Sequence, residues 1–262
     1  MHITTQFMPK ENEEDDWPED RYGFDIIHTT CDCKTGEYLE WLKRESPKDY
    51  EEVKMQGERK AKEDRASAAE KDTSGPPQVY ASGVDPLYHQ SHWIADRTID
   101  LIRESEPGKP FFAFCSFVDP HHPFDPPEPY ASMYDPDALE APDYEEGELL
   151  DKPPHFMKAR TARGFSNEKY DYRRLSAHDW GRVKAAYYGM ITLVDDNIGR
   201  VLDALEEKGI EEDTLIMFTN DHGELLGDHG LLFKGPFHYD CLIKAPMILQ
   251  WPGVVPKGAR YN

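Results

Sequence analysis

The chain has 262 residues, enough to bury the core of one large α/β domain or two small ones. Its 51 acidic and 30 basic residues give a net charge of -21, which argues against a nucleic-acid partner because such a partner requires a basic surface. No apolar stretch is as long as a membrane span, so no membrane-spanning segment is expected.

Two features of the first third of the chain bear on its structure. Cys31 and Cys33 are too close in sequence for an ordinary disulfide, and no second cysteine pair stands at zinc-site spacing. Between about residues 45 and 78, charged and small polar residues dominate and large apolar side chains are almost absent. This charged insertion is predicted to be a solvated helix or a mobile segment outside the core.

A helix and a short strand are predicted next. Apolar residues repeat at helical spacing at Ile94, Ala95, Ile99 and Ile102. The helix is expected to end near Pro107. The following run, PFFAFCSFV (110–118), is apolar on both faces, which is typical of a strand covered on both sides in a parallel sheet. Cys115 in this run is predicted to be a buried small hydrophobic residue.

The second half of the chain continues this alternation. Residues from about 125 to 176 are rich in Pro, Tyr and acid, which indicates a long ordered loop of the kind that often lines a substrate site. A long helical pattern from Trp180 ends at Lys208-Gly209, and apolar strands follow at 214–221 and 246–251. The order of elements predicts an α/β fold with a mostly parallel central sheet flanked by helices.

Two of the predicted strands run directly into polar clusters. The first leads into DPHHPF (119–124), and the second leads into NDHGE (220–224), followed by a glycine-containing loop and Lys234. Because ligands bind at the carboxyl ends of parallel strands, we expect the two clusters to face one crevice.

The residues in these clusters suit the transfer of an anionic group. Asp221 offers an oxygen ligand for a divalent cation and His222 an imidazole nitrogen, and Gly223 would allow a sharp turn after them. Lys234 can place a positive charge on a transferring sulfuryl or phosphoryl oxygen, and His121 can donate a proton to a leaving group. Each could instead be a capping turn, a surface lysine or a structural histidine, and their conjunction at strand ends favours a site.

Three sequence blocks resemble blocks of the formylglycine-dependent sulfatases, a family of the alkaline phosphatase superfamily. They are KPFFAFCSFVDPHHPFDPPEPYASMYDP (109–136), AAYYGMITLVDDNIGRVLDALEEKGIEEDTLIMFTNDHG (185–223) and FTNDHGELLGDHGLLFKGPFHYDCLIKAPMILQWPG (218–253). The resemblance extends from about Arg21 to Gly258 and is weakest across the charged insertion. It implies an alkaline phosphatase-like fold, with residues 1–262 forming part of a sulfatase catalytic domain.

The resemblance also implies roles for individual residues. Asp221 and His222 fall on the metal-binding pair, and Lys234 falls on the catalytic lysine that contacts sulfate. His121 falls on the catalytic histidine, and His2 resembles the histidine of a Gly-Lys-x-His element that binds sulfate. The implied cofactor is one divalent ion, with calcium or magnesium expected, although an imidazole ligand shifts the preference toward manganese or zinc.

The sulfatase nucleophile is a formylglycine made from Cys or Ser in a C/S-x-P/A-x-R context. Neither Cys31 nor Cys33 has an arginine four positions later, and the early Asp-Asp metal pair of the family is also absent. The resemblance therefore implies a fragment without the upstream nucleophile segment and without the C-terminal subdomain, inactive by itself. The upstream segment would carry the formylglycine, installed by a formylglycine-generating enzyme.

The expected function is hydrolysis of a sulfuric ester, such as a sulfated carbohydrate, with release of inorganic sulfate. One alternative is a phosphonate monoester or phosphodiester hydrolase of the same superfamily, because these residues do not distinguish sulfur from phosphorus. Another is a catalytically dead sulfatase-like binding protein, which the missing nucleophile favours. The family resemblance implies a periplasmic or secreted protein.

Overall fold

The computed structural model describes residues 2–6, 23–65, 75–161 and 171–260, with side chains described over 23–61, 75–161 and 171–260. The chain forms two compact units. The first comprises Met1–Glu140 and Leu175–Ala204, and the second comprises Ala141–Arg174 and Leu205–Asn262.

From the second strand onward, each strand is separated from the next by one or more helices, as the predicted order of elements requires. The helices are α1 (Glu37–Glu45), α2 (Pro47–Arg65), α3 (Gln90–Glu104), α4 (Pro154–Thr161), α5 (Ala177–Lys208) and α6 (Asp240–Ile243). The strands are β1 (His2–Gln6), β2 (Ile26–Thr30), β3 (Ala113–Cys115), β4 (Ile216–Thr219) and β5 (Met247–Gln250). None of the described helices combines the length and the apolar character needed to cross a membrane.

The first unit contains a parallel sheet in the order β2-β1-β3. His2 pairs with Ile26 on one side and with Ala113 on the other. This sheet with its helices confirms the predicted α/β class. The hydrophobic pattern does not reveal β1 and β2, because each strand is only five residues long and includes polar side chains.

The core of the first unit lies between helices α1, α2 and α3. Its buried members are Tyr38, Leu42, Val53, Val84, Trp93, Ile94 and Val118. The rings of Tyr38 and Trp93 lie 5.9 Å apart at 60°, a tilted arrangement that aromatic pairs favour. Burial of each large apolar side chain contributes about 1.5–3 kcal/mol to folding.

Helix α2 corrects the expectation that the whole charged insertion lies outside the core. Asp49 and Val53 are buried, the Asp49 carboxylate accepts a hydrogen bond from Asp85 N at 2.9 Å, and Gln56 Nε2 donates to Ser82 Oγ at 2.8 Å. These three anchors are spaced four and three residues apart and therefore share one helix face. Because these anchors are few and the rest of the segment is highly charged, its composition does not reveal them. Residues 66–74 of the segment lie outside the described residues.

A second correction concerns the cysteines. Cys31 and Cys33 form a disulfide, contrary to the sequence prediction, with Cα atoms 5.2 Å apart, within the usual disulfide range of about 4.4–6.8 Å. Lys34 N–H donates to Cys31 O at 2.9 Å, so both cysteines lie in one turn. This turn closes the short loop.

The second unit differs from the predicted parallel sheet, since β4 and β5 pair antiparallel, with Ile216 opposite Gln250. Met217 and Ile248 are 59% and 61% exposed. Phe114 of β3, in the first unit, is also exposed, so the expectation that this strand is covered on both sides is wrong for the described structure. The apolar composition of these strands marks surfaces that no described element covers.

The second unit builds its own core beneath the loop that follows β4. The buried members are Leu149, Phe156, Ala159, Leu225, Leu231, Phe237 and Leu242. They join the start of α4 to residues 225–242, which include Lys234. The loop is therefore anchored by apolar side chains although its rim is polar.

Candidate functional site

Strand β4 ends at Thr219 and delivers Asp221 and His222 into one turn. Asp221 Oδ1 accepts a hydrogen bond from His222 N at 2.9 Å, and Asp221 Oδ2 lies 3.7 Å from His222 Nε2. The Asp221 side chain is 82% exposed and that of His222 is 39% exposed. Two ligand atoms at this separation can bind the same cation at about 2.0–2.4 Å each.

The orientation of the His222 ring is fixed through its other nitrogen. His222 Nδ1 lies 2.7 Å from the carbonyl oxygen of Gly223. Because a carbonyl can only accept, Nδ1 carries the proton, and the neutral ring presents the lone pair of Nε2. The nitrogen that faces Asp221 is therefore the one suited to bind a metal, and the carbonyl is the kind of orienting partner that metal-bound histidines use.

Gly223 is required by close packing and not by a left-handed backbone angle. Its φ is not in the left-handed region. Its N–H donates to Leu242 O at 2.8 Å, and a Cβ at this position would collide with the carbonyl oxygen of Cys241. The Asp-His pair is thereby held against helix α6.

The loop after the pair returns on itself and places Lys234 near its own start. Leu225 N donates to Phe233 O at 3.1 Å, and Gly227 N donates to Leu231 O at 2.9 Å. Phe233 is thus bonded to Leu225, which stands only three positions after His222. The half-buried Lys234 directly follows Phe233. Cation, oxygen ligand and imidazole ligand belong to one hydrogen-bonded loop.

Three non-glycine residues of this loop have left-handed backbone angles. Leu226, His229 and Phe233 have φ values of 47°, 58° and 63°. Such a conformation costs about 1–2 kcal/mol per residue and persists only where the surroundings determine it. Here the buried Leu225, Leu231 and Phe233 side chains hold the loop.

His121 lies in the first unit, in the loop after β3. His121 N donates to Val118 O at 3.1 Å, and His121 Nδ1 lies 2.6 Å from the carbonyl oxygen of His122. The two imidazole rings stack with centroids 4.2 Å apart. Since the carbonyl occupies Nδ1, Nε2 is the atom that can exchange a proton with a substrate.

A buried polar network supports the His121 loop. The Asp119 carboxylate accepts a short hydrogen bond from Ser91 Oγ and lies 3.7 Å from His89 Nδ1. Lys34 Nζ lies 2.6 Å from Asp125 Oδ2, and both side chains are almost fully buried. No sequence pattern marks these residues, although the two carboxylates flank His121 within four positions.

Burial controls the protonation of this network. It raises the pKa of the Asp119 and Asp125 carboxyls, while the Ser91 hydrogen bond and the Lys34 charge act in the opposite direction. Burial, together with the Lys34 charge, lowers the pKa of His89 to about 3. His89 is therefore neutral at pH 7.

The structure places the predicted site residues in both units. Asp221, His222 and Lys234 lie together in the second unit, whereas His121 lies in the first, and the shared crevice stays a prediction. The backbone of His2 lies in β1, but its side chain lies outside the described residues, so its sulfate contact stays a prediction as well.

One further group of possible metal ligands occurs among the described side chains, at Cys31, Asp32 and Cys33. The two sulfur atoms are bonded to each other and therefore offer no thiolate to a metal.

The second unit also contains a groove of about 640 Å³. It is lined by Lys152, Pro153, His155, Phe156, Pro236, His238 and Tyr239. Sequence patterns indicated only that the irregular segment 125–176 could line a substrate site. They did not identify these residues, because the two walls are separated by about eighty residues in sequence and meet only through the fold.

Comparison with known proteins agrees with these features. A family profile described as Sulfatase matches residues 32–262. The arylsulfatase of Clostridium perfringens is 36% identical over 181 residues, which cover 68% of this chain and 35% of that protein. The multifunctional alkaline phosphatase superfamily protein PehA of Trinickia caryophylli is 32% identical over 178 residues, which cover 66% of this chain and 34% of that protein.

Solved structures show the same relationship. The phosphonate monoester hydrolase of Agrobacterium radiobacter superimposes with a TM-score of 0.70 and 25% identity, covering 96% of this chain and 50% of that chain. That of Silicibacter pomeroyi gives a TM-score of 0.65 and 26% identity, covering 88% of this chain and 44% of that chain. The chain thus spans about a third of the two curated relatives and about half of these structures.

Proposed function

The chain belongs to the sulfatase family of the alkaline phosphatase superfamily, and on that premise we propose that the protein hydrolyses sulfate esters with release of inorganic sulfate. The observation that carries the proposal is the loop after β4, which holds Asp221, His222 and Lys234 in one hydrogen-bonded structure. The similarity to an arylsulfatase of Clostridium perfringens and to a choline-sulfatase of Rhizobium meliloti supports the same reaction class.

Members of this family use a divalent metal ion and a formylglycine nucleophile. Asp221 Oδ2 and His222 Nε2 fit such an ion, because they lie 3.7 Å apart and the carbonyl of Gly223 holds the proton of His222 on the opposite nitrogen. We assign these two atoms as metal ligands. Calcium or magnesium is the family expectation, and the imidazole ligand shifts the preference toward manganese or zinc. When bound, the metal stabilises negative charge on the reacting oxygens.

The remaining candidate residues act on the ester itself. The ammonium of Lys234 attracts an oxygen of the sulfuryl group and stabilises the charge that it gains during transfer. His121 donates the proton of Nε2 to the ester oxygen as the sulfur–oxygen bond breaks, so that the alcohol leaves uncharged. Asp119 and Asp125 hold the backbone that positions this ring. The formylglycine requires a formylglycine-generating enzyme as a maturation partner.

Phosphonate monoester hydrolysis is the second candidate, and one observation favours it. Two phosphonate monoester hydrolases superimpose on this chain with TM-scores of 0.70 and 0.65. A phosphonate monoester presents a tetrahedral anion of similar size, which the same lysine and metal ligands can hold.

The deciding experiment uses the full-length protein co-expressed with a formylglycine-generating enzyme. Turnover of 4-nitrophenyl sulfate and of 4-nitrophenyl phenylphosphonate is measured side by side, with Lys234→Ala as the control. A higher kcat/KM for the sulfate ester, lost in the control, is expected. A higher value for the phosphonate would support the second candidate, and no turnover of either ester would support a binding protein without catalysis.

We also propose that the protein resides in the periplasm or outside the cell. The disulfide between Cys31 and Cys33 supports this location, because disulfides persist in oxidising compartments. Mass spectrometry of thiol-blocked protein from fractionated cells tests it. Blocked, reduced Cys31 and Cys33 in a cytosolic fraction would contradict the proposal.

A further inference from the structure

The Cys31–Cys33 disulfide contributes little to holding the fold together. The entropy that a disulfide removes from the unfolded chain grows with the length of the loop it closes, and this bond joins residues only two positions apart. The same turn is also held by other contacts, because Cys31 O accepts hydrogen bonds from Lys34 N at 2.9 Å and from Gln90 Nε2 at 2.7 Å. The fold therefore accommodates both the bonded and the reduced cysteine pair.

The two cysteines differ in their access to solvent. Cys31 is 1% exposed, whereas Cys33 is exposed. A disulfide is opened by a thiolate that attacks one of its two sulfur atoms, and access decides which sulfur is attacked. An incoming thiolate therefore reaches Cys33, and the buried Cys31 is the sulfur that leaves.

A hydroxyl group stands beside the sulfur that leaves. Thr35 Oγ1 lies 3.0 Å from Cys31 Sγ and 3.5 Å from Cys33 Sγ. Because the bonded sulfur atoms carry no hydrogen, the hydroxyl is the donor in both contacts. Attack at Cys33 places a negative charge on Cys31 Sγ, and a hydrogen bond to a charged acceptor is stronger than one to a neutral acceptor. Thr35 therefore stabilises the leaving thiolate more than it stabilises the intact bond.

The other two of the four cysteines are not bonded to each other. Cys115 and Cys241 are free thiols. Burial raises the pKa of Cys115 to about 11, so this thiol stays protonated and unreactive near neutral pH. The pair formed by Cys31 and Cys33 is thus the disulfide of this chain that an external thiol can open.

We propose that Cys31 and Cys33 form a redox-active pair that exchanges two electrons with a dithiol. One thiolate of the dithiol attacks Cys33 Sγ, the bond to Cys31 Sγ breaks, and its electron pair stays on Cys31. The second thiol of the dithiol then attacks the dithiol sulfur of the mixed disulfide, which releases Cys33 and leaves the dithiol as an intramolecular disulfide. Two electrons and the two thiol protons pass from the dithiol to the cysteine pair.

The geometry of the turn favours a dithiol over a monothiol. After the first step the Cys31 thiolate remains in the same turn, with its Cα 5.2 Å from that of Cys33, so it can attack Cys33 again and expel a monothiol. A dithiol escapes this reversal because its second thiol reacts intramolecularly, at a high effective concentration. The inference does not rest on the proposed function, because neither cysteine belongs to the candidate site and no ester is involved.

The first test follows the opening of the bond in the full-length, oxidised protein. Dithiothreitol is added, the reaction is stopped with acid, and blocked Cys31 and Cys33 are counted by mass spectrometry, with the free Cys115 and Cys241 as internal reference. Thr35→Val removes the hydroxyl and should slow the opening about tenfold, the size of one lost hydrogen bond to a charged group. Thr35→Ser keeps the hydroxyl and should open as fast as the wild type. Equal rates in all three proteins would overturn the inference.

The second test needs no variant and compares the folded with the unfolded chain. The equilibrium between the cysteine pair and dithiothreitol is measured in buffer and in urea. Because linkage is reciprocal, a disulfide that stabilises the fold is harder to reduce in the folded chain by the same factor, roughly thirtyfold or more for a structural bond. We expect a difference of less than about tenfold, and a cooperative unfolding transition in the reduced protein. A larger difference, or loss of that transition on reduction, would show that the bond is structural and would refute the proposal.

Discussion

The loops that carry His121 and His222 orient their imidazole rings in the same way but have different surroundings. His121 and His222 both hold Nδ1 on a neighbouring carbonyl, at 2.6 and 2.7 Å. The His121 loop is backed by buried charges, whereas Asp221 next to His222 is mostly exposed. The proposed proton donor is therefore positioned by protein groups. The ligand atoms of the proposed metal pair, Asp221 and His222, are open to solvent. A bound ion is needed to complete their arrangement.

The largest expected effect comes from removing the buried charge behind His121. Lys34→Ala leaves the Asp125 carboxylate buried without its partner at 2.6 Å, and loss of one member of a buried pair costs about 3–5 kcal/mol. Chemical denaturation of the full-length protein measures the free energy of unfolding. Lys54→Ala is the matched control, since its pair with Glu51 is exposed and should contribute about 0–1 kcal/mol. Similar losses of unfolding free energy in both variants would contradict the claim that buried charges support the His121 loop.

The second prediction concerns His121 as a proton donor. His121→Ala should lower kcat at least about a hundredfold, as expected for loss of a positioned general acid. The loss should shrink for esters with good leaving groups, which need little protonation. His122→Ala is the matched control because its ring stacks on that of His121. A larger loss of kcat in His122→Ala, with folding intact, would show that His122 and not His121 is the proton donor.

A third, smaller effect is the pH dependence that His89 gives to the free energy of unfolding. His89 is buried and its pKa is lowered to about 3, so the unfolded chain binds a proton that the folded chain refuses between that value and its ordinary pKa of about 6.5. His89 therefore makes the protein less stable as pH falls below about 6.5, by at most about 1.4 kcal/mol per pH unit.

Substitution of His89 isolates that contribution. His89 caps α3 by accepting from Ser91 N at 3.2 Å, and Asn can make the same cap without titrating. His89→Asn should flatten the fall in stability between pH 7 and pH 5 that urea denaturation shows for the wild type. An unchanged slope would mean that other groups cause it.

Much of the fold could be predicted from the sequence, because the longer elements have clear local periodicity. Helix α5 has a long helical pattern and strand β4 a strongly apolar one, and the position of the polar residues after β4 predicts a site there. The Cys31–Cys33 bond lies in a turn that no sequence pattern indicates. The ion pair of Lys34 with Asp125 joins residues 91 positions apart, a contact that a single sequence does not encode in any local signal.

The metal pair tests the account most directly. Full-length protein, Asp221→Asn and Asp228→Asn are dialysed against limiting metal and their bound metal is measured by mass spectrometry. Asp228 is the matched control because it lies in the same loop but bonds Asp143 N at 3.0 Å. We expect about one ion per chain in the wild type and in Asp228→Asn and a large loss in Asp221→Asn. Equal metal content in all three proteins would contradict the assignment of Asp221 and His222.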